Sequence, residues 1–187
     1  KHISDEAELD GLPDSAKAGA ADRAKADGKD GWLLTLDAPV FIAVMSHCKN
    51  AELRKEMYVA WTTKASDQGP QAGQFDNSAI MDEILKLRHH QAQLLGFANF
   101  AEESLATKMA RDVNEVIQFL EDLAKRAKPQ AEQELAALRA FAAEKGADDL
   151  NPWDIGFWSE RLREERYSIS EEELRPWFPA DTVINSM

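Results

Sequence analysis

Apolar residues recur along most of this chain at the three- and four-residue spacing of amphipathic helices. The clearest example is a helix that Asp76 or Asn77 caps and that Gly96 ends. Its apolar stripe, which is interrupted once by a polar residue, consists of Ile80, Ile84, Leu87, Gln91 and Leu94/Leu95. This spacing predicts that one face of the helix is apolar along its whole length.

The longest periodic segment covers residues 112–145. One face of this predicted helix is marked by Val113, Val116/Ile117, Leu120, Leu123/Ala124, Ala127, Ala131, Leu135, Leu138 and Phe141/Ala142. Pro129 lies inside the segment and cannot donate a backbone hydrogen bond, so we expect a kink or a break there.

Shorter patterns fill most of the remaining chain. Further helices are predicted over 5–9, 13–28, 39–49, 51–66, 99–105, 152–167 and 170–177, with Ser4 as the cap of the first and a final turn toward Met187. Residues 31–36 are the best strand candidate, and we expect this strand to pair with 1–3 or with residues outside this chain. Residues 67–77 are predicted to form a long loop. The expected fold is mostly α: an irregular multi-helix domain over 1–187 with at most one short β-strand pair.

Charge and composition narrow the class of protein. The formal net charge is -12, which argues against nucleic acid as a partner and disfavours an anionic membrane surface. No stretch approaches the roughly 18 apolar residues of a membrane span. Cys48 is the only cysteine, so no internal disulfide can form, and we expect a reducing, cytoplasmic setting.

The histidines do not have the spacing of a metal site. A zinc helix of the H-E-x-x-H type needs two histidines four residues apart, and His2, His47, His89 and His90 contain no such pair. Adjacent His89 and His90 project about 100° apart on a helix and cannot chelate one ion efficiently. We therefore expect no metal ligand, and no cofactor-binding residue, in this chain.

No complete nucleophilic centre is visible either. Cys48 follows His47 directly, but neighbouring side chains on a helix do not face each other, and a small core residue is the expected role of Cys48. The acid pairs are too numerous for one to be selected, so no catalytic residue is predicted. The aromatic group Trp153, Phe157, Trp158, Tyr167, Trp177 and Phe178 is interpreted mainly as core, with a docking surface as the alternative.

Several short sequence segments nevertheless look typical of one protein family and not of helices in general. They are GWLLTLDAP (31–39), ASDQGPQAG (65–73), LLGF (94–97), SLATKMA (104–110), PWDI (152–155), YSIS (167–170) and LRPWFP (174–179). In this order they resemble the thimet oligopeptidase family of zinc metallopeptidases, and the similarity covers essentially the whole chain. Each string alone would be weak, and together they are specific.

The resemblance implies a largely helical enzyme with two domains flanking a deep channel, which admits short peptides to a buried zinc ion. In that family an H-E-x-x-H helix and a downstream Glu hold the zinc, and no position here matches them. The chain is thus expected to be part of the N-terminal channel wall of a larger peptidase. Its partners would be the missing catalytic domain and, for the whole enzyme, short peptides; alone it would be inactive and free of zinc.

Two other functions remain open from the residues alone. The first is a stand-alone helical module that binds a peptide or a protein through the aromatic group. The second is a helical enzyme that uses Cys48 or a pair of carboxylates.

Overall fold

The computed structural model describes residues 1–147, 149–168 and 174–185, and these are mostly helical, as predicted. The α-helices are α1 (Asp14–Ala26), α2 (Ala38–His47), α3 (Ala51–Thr62), α4 (Ser78–Leu94), α5 (Phe100–Leu105), α6 (Val113–Glu144), α7 (Ile155–Tyr167) and α8 (Ala180–Asn185). The strands are β1 (His2–Ile3) and β2 (Trp32–Leu33), and 3₁₀ turns occupy Glu6–Leu9 and Arg175–Trp177. None of the described helices combines the length and the apolar character that a membrane span requires.

The two strands form the predicted pair. They are antiparallel, with His2 opposite Leu33 and Ile3 opposite Trp32. The Leu34 N–H donates to the Lys1 carbonyl at 2.9 Å and extends the pairing by one bond. Only two residues of the predicted strand 31–36 belong to the ladder, because β1 offers only two residues to pair with.

Side chains cap several of the predicted helix starts, although not always the expected ones. In the first turn Asp5, and not Ser4, is the cap: its Oδ1 accepts from the Ala7 N–H at 3.0 Å, and the turn is 3₁₀. Before α4 it is Asp76 whose Oδ1 accepts from the Ser78 N–H at 2.9 Å. The side chain of Asn77, which stands next to the helix, makes no capping bond.

Two other helix predictions need correction. Helix α3 ends at Thr62 rather than at residue 66, and Ala65 has a positive φ of 55°, so the loop before α4 is longer than predicted. Helix α6 continues through Pro129, so the predicted break does not occur there, while the alternative of a kink stays a prediction. The predicted helix over 170–177 lies partly outside the described residues, and its described end is the 3₁₀ turn.

The chain divides into two compact units, of which the first consists of Lys1–Thr62 and Ala137–Met187. This unit contains the main core, which is built from the strand pair, the first turns and helices α1 to α3. Its buried residues are Ile3, Leu9, Leu12, Ala20, Leu34, Val44, Met45, Cys48, Leu53 and Met57. The apolar stripe of α6 is buried only at its C-terminal end, at Leu138, Phe141 and Ala142.

The second unit, Thr63–Ala136, is much more open. Within it α4 packs against α5, and Ala92 is its only buried residue. Large apolar residues on both α4 and the first half of α6 are exposed. That residues 1–187 form a single domain stays a prediction.

Candidate functional site

The most deeply buried polar residues of the first unit form an ion pair between α3 and the start of α7. Arg54 Nη2 lies 2.5 Å from Asp154 Oδ1, and the two side chains are only 4% and 8% exposed. Arg54 reaches this position because it lies within the apolar face that Leu53 and Met57 bury. The pair joins residues that are 100 positions apart in the sequence.

Further bonds satisfy most of the remaining polar atoms of this pair. Arg54 Nη1 donates to the carbonyls of Cys48 at 2.6 Å and Lys49 at 3.2 Å. The guanidinium also lies over the ring of Phe157, 4.4 Å from its centroid, which is a favourable cation–π distance. Asp154 Oδ2 accepts from the backbone N–H and the side-chain amide of Asn151 at 3.3 and 3.2 Å. The pair is closed to solvent, so its chemistry is that of a structural clamp.

Cys48 lies beside this clamp and is fully buried. Its thiol donates to the Glu8 carbonyl at 3.5 Å, and burial raises the pKa of the thiol above its usual value. A nucleophile needs the opposite, an accessible thiol with a lowered pKa. The position of Cys48 is therefore that of a small core residue, and the side chain of His47 lines a different cavity.

The histidines are not brought together. His2 Nε2 is hydrogen-bonded to the Asp30 carbonyl, while His89 and His90 are exposed on α4. In the part of the chain that the structure describes, no three His, Cys, Asp or Glu side chains are grouped so that they could hold a metal ion. The residues that the structure describes thus do not fit a zinc site.

A cavity of about 600 Å³ in the first unit is a candidate binding site. Its walls are mainly apolar, with Leu12 and Ala16 on one side and Val40 and Val44 of α2 on the other. At its rim Arg161 and Glu164 of α7 form an ion pair of 2.8 Å, so their charges largely neutralise each other. The lining is mainly apolar but includes the hydroxyl of Ser15 and the imidazole of His47, and no three metal-ligating side chains among the described residues are grouped there.

The aromatic group is only partly core. Trp153 packs against the buried cluster, and Trp158 makes edge contacts with Phe157 and Phe141 at centroid distances of 5.2 and 6.2 Å. The other three members are exposed: Tyr167, Trp177 and Phe178. Helix α7, which carries Phe157 and Trp158, ends at Tyr167, and Ser168 takes a left-handed conformation.

In the second unit the stripe that the sequence predicts for α4 faces solvent. Ile80, Ile84, Leu87 and Leu94, which we call the α4 seam, are between 41% and 75% exposed. The sequence revealed the seam but not its exposure. Arg54 was missed, although a charged residue inside the apolar face of a predicted helix was an available signal.

Comparison with known proteins shows the family to which this mostly helical chain belongs. Residues 44–187 match the model of peptidase family M3. The match covers most of the chain, and the chain belongs to this family.

Similar proteins extend the match to the whole chain. The chain is 57% identical to Oligopeptidase A of Salmonella typhimurium (strain LT2) and of Escherichia coli (strain K12), and 45% identical to a probable cytosolic oligopeptidase A of Arabidopsis thaliana. Each alignment covers 100% of this chain. The chain spans 28% of the length of the two bacterial relatives and 27% of the plant protein.

Proposed function

We propose that this chain is a helical channel-wall part of a zinc-dependent oligopeptidase and is inactive by itself. The observation that carries the proposal is the 57% identity to bacterial Oligopeptidase A over the full 187 residues. Identity of this extent over all the helices supports a role in the same kind of enzyme. The proposed substrates of the whole enzyme are short peptides, and its proposed location is the cytoplasm.

The arrangement of the described residues supports a structural role in such a wall. The clamp of Arg54 and Asp154 connects helices, and the described residues contain no metal-holding group. The zinc, the residue that activates water and the groups that stabilise the oxyanion would lie in the part of the enzyme that has no counterpart here. Zinc would supply Lewis-acid chemistry there.

A chimera tests this proposal. The matching stretch of Escherichia coli Oligopeptidase A is replaced by this chain, and hydrolysis of a fluorogenic short peptide is measured with and without a chelator. We expect the chimera to retain chelator-sensitive activity within about tenfold of the parent, since a tenfold rate change corresponds to only about 1.4 kcal/mol in the barrier. The isolated chain is the control, and we expect it neither to hydrolyse the peptide nor to bind zinc stoichiometrically.

Two results would contradict the proposal. A folded chimera without activity would show that this chain cannot serve as the wall of such an enzyme. Chelator-sensitive cleavage by the isolated chain would show that it contains a catalytic centre of its own.

A stand-alone interaction module is the second candidate. It is favoured by the exposed Trp177 and Phe178, which are 79% and 68% accessible. Large exposed aromatic side chains are common at protein interfaces. The coding sequence discriminates: a reading frame that continues beyond Met187 into an H-E-x-x-H segment supports the peptidase, and a stop codon at that point supports the module.

A further inference from the structure

The α4 seam has the repeat of a helix that packs lengthwise on another helix. Its members Ile80, Ile84, Leu87 and Leu94 follow spacings of four, three and seven residues, and Gln91 occupies the intervening position of the second heptad. This alternation of three and four is typical of a helix–helix seam. An apolar stripe of this kind normally faces a core, yet every member of this one is exposed.

One flank of the seam is already occupied. Arg88 lies over the ring of Phe100 of α5, 5.0 Å from its centroid, and Ala92 is buried. The Gln91 amide donates to Glu103 of α5. Helix α5 therefore closes this side and, through Gln91, reaches the line of the seam at one position, so a further helix can approach along the four apolar members or from the opposite flank.

The open flank carries a defined charge pattern. Glu83 and His90 are seven residues apart and so lie on the same side of α4, next to the seam. An amphipathic helix with an apolar stripe and a basic residue opposite Glu83 would complement this surface. Helices pack through such flanking charges as well as through the apolar residues between them.

The apolar area of the seam distinguishes a second copy of the chain from a segment of the same polypeptide as the molecule that covers it. Four side chains of this type bury at most about 500 Å², whereas a stable interface between separate proteins needs about 800 Å² from each partner. A second copy of the chain would therefore bury too little area on the seam to form a stable dimer. A segment of the same polypeptide needs less area, because its attachment raises its effective concentration.

We infer that the α4 seam is the docking surface for an amphipathic helix from the remainder of the longer oligopeptidase. This inference rests on the proposed function. Two facts support it. The chain covers 28% of the length of the bacterial relatives, so the other 72% can supply the helix. The alignments also include α4 in full. The seam would then be an internal contact of the longer enzyme.

Two matched substitutions test the inference in the chimera described above. Leu87→Lys places a charge in the seam, and Leu85→Lys places the same charge on the other side of α4, about 160° away. The two leucines are similarly exposed in this structure, at 58% and 63%. In the isolated chain we expect both substitutions to leave the urea midpoint unchanged, because neither removes a buried contact.

In the chimera the two substitutions should behave differently. Hydrogen exchange of the α4 amides should become at least about tenfold faster with Leu87→Lys and less than about threefold faster with Leu85→Lys, since exchange reports the local opening of a packed helix. Leu87→Ala removes apolar area without adding a charge. It should give an intermediate acceleration, which separates lost docking from general misfolding.

Equal effects of Leu87→Lys and Leu85→Lys in the chimera would overturn the inference. So would a dimer of the isolated chain in sedimentation velocity that Leu87→Lys abolishes, because a second copy would then be the occupant. Exchange is independent of turnover. A chimera with a protected α4 but no peptidase activity would contradict the proposed function and leave the docking surface supported.

Discussion

Removal of Asp154 is the most informative perturbation of the first unit. The Asp154→Ala substitution leaves the guanidinium of Arg54 buried, with two carbonyl oxygens and an aromatic ring as its remaining partners. The carboxylate that neutralises its charge at 2.5 Å is lost. Helix α7 also loses the anion that precedes its first turn.

The expected cost follows from the burial of this pair. Removing one partner of a buried ion pair costs about 3–5 kcal/mol, because an uncompensated charge stays in the interior. The two carbonyl acceptors of Arg54 remain, so we expect a value near the lower end, about 3 kcal/mol. For a unit of this size, with a urea dependence of about 1–2 kcal/mol per molar, the unfolding midpoint should fall by about 2 M.

Tryptophan fluorescence isolates the relevant unfolding step. All five tryptophans, at positions 32, 61, 153, 158 and 177, belong to the first unit, and the second unit contains none. Urea titrations followed by tryptophan emission thus report the unit that contains the clamp. Glu52→Gln is the matched control: it breaks an exposed 4.0 Å pair with Lys55 and should cost less than about 0.5 kcal/mol.

A double variant completes the test. Arg54→Met combined with Asp154→Leu removes both charges, and it should be more stable than Asp154→Ala because no unpaired charge is left. A loss of less than about 1 kcal/mol in the free energy of unfolding of Asp154→Ala, which is typical of an exposed pair, would contradict the predicted buried charge. A double variant as unstable as the sum of its two single substitutions would contradict it too.

Two further predictions concern the same unit. Burial holds the pKa of the Cys48 thiol above its unfolded value, so the stability that the neutral thiol contributes should be complete below about pH 8.5 and should be lost as the pH rises toward the folded pKa. Urea midpoints at pH 7 and pH 10 measure this loss, which Cys48→Ala should abolish. An unchanged loss in that variant would show that the thiol is not its source. Gly11→Ala should lower the free energy of unfolding by more than about 2 kcal/mol, because the new Cβ would lie 2.3 Å from the His47 carbonyl oxygen at a positive φ. Gly28 also has a positive φ but lies in open space, so Gly28→Ala should lower it by only about 1 kcal/mol. Equal urea midpoints for the two variants would contradict the predicted clash.

The sequence by itself determined most of the secondary structure. The periodicity of α4 and α6 and the starts of most helices were predicted correctly, because these features depend on residues within a few positions of each other. The strand pair was predicted for a different reason: a lone strand cannot satisfy its backbone hydrogen bonds, and residues 1–3 were available to pair with it. Family membership was also readable, because several specific strings occur in a fixed order. The early end of α3 was missed, since helix propensity continues beyond Thr62 while the chain takes a left-handed turn at Ala65.

Only the tertiary structure decided which apolar faces are buried. The stripe of α6 looks continuous in sequence, but it is covered at Phe141 and exposed at Leu120. Likewise nothing local in the sequence pairs Arg54 with Asp154, because a partner 100 positions away is chosen by how α3 and α7 pack. Periodicity shows that a helix has an apolar face, whereas the neighbour that covers this face is set by contacts distant in sequence.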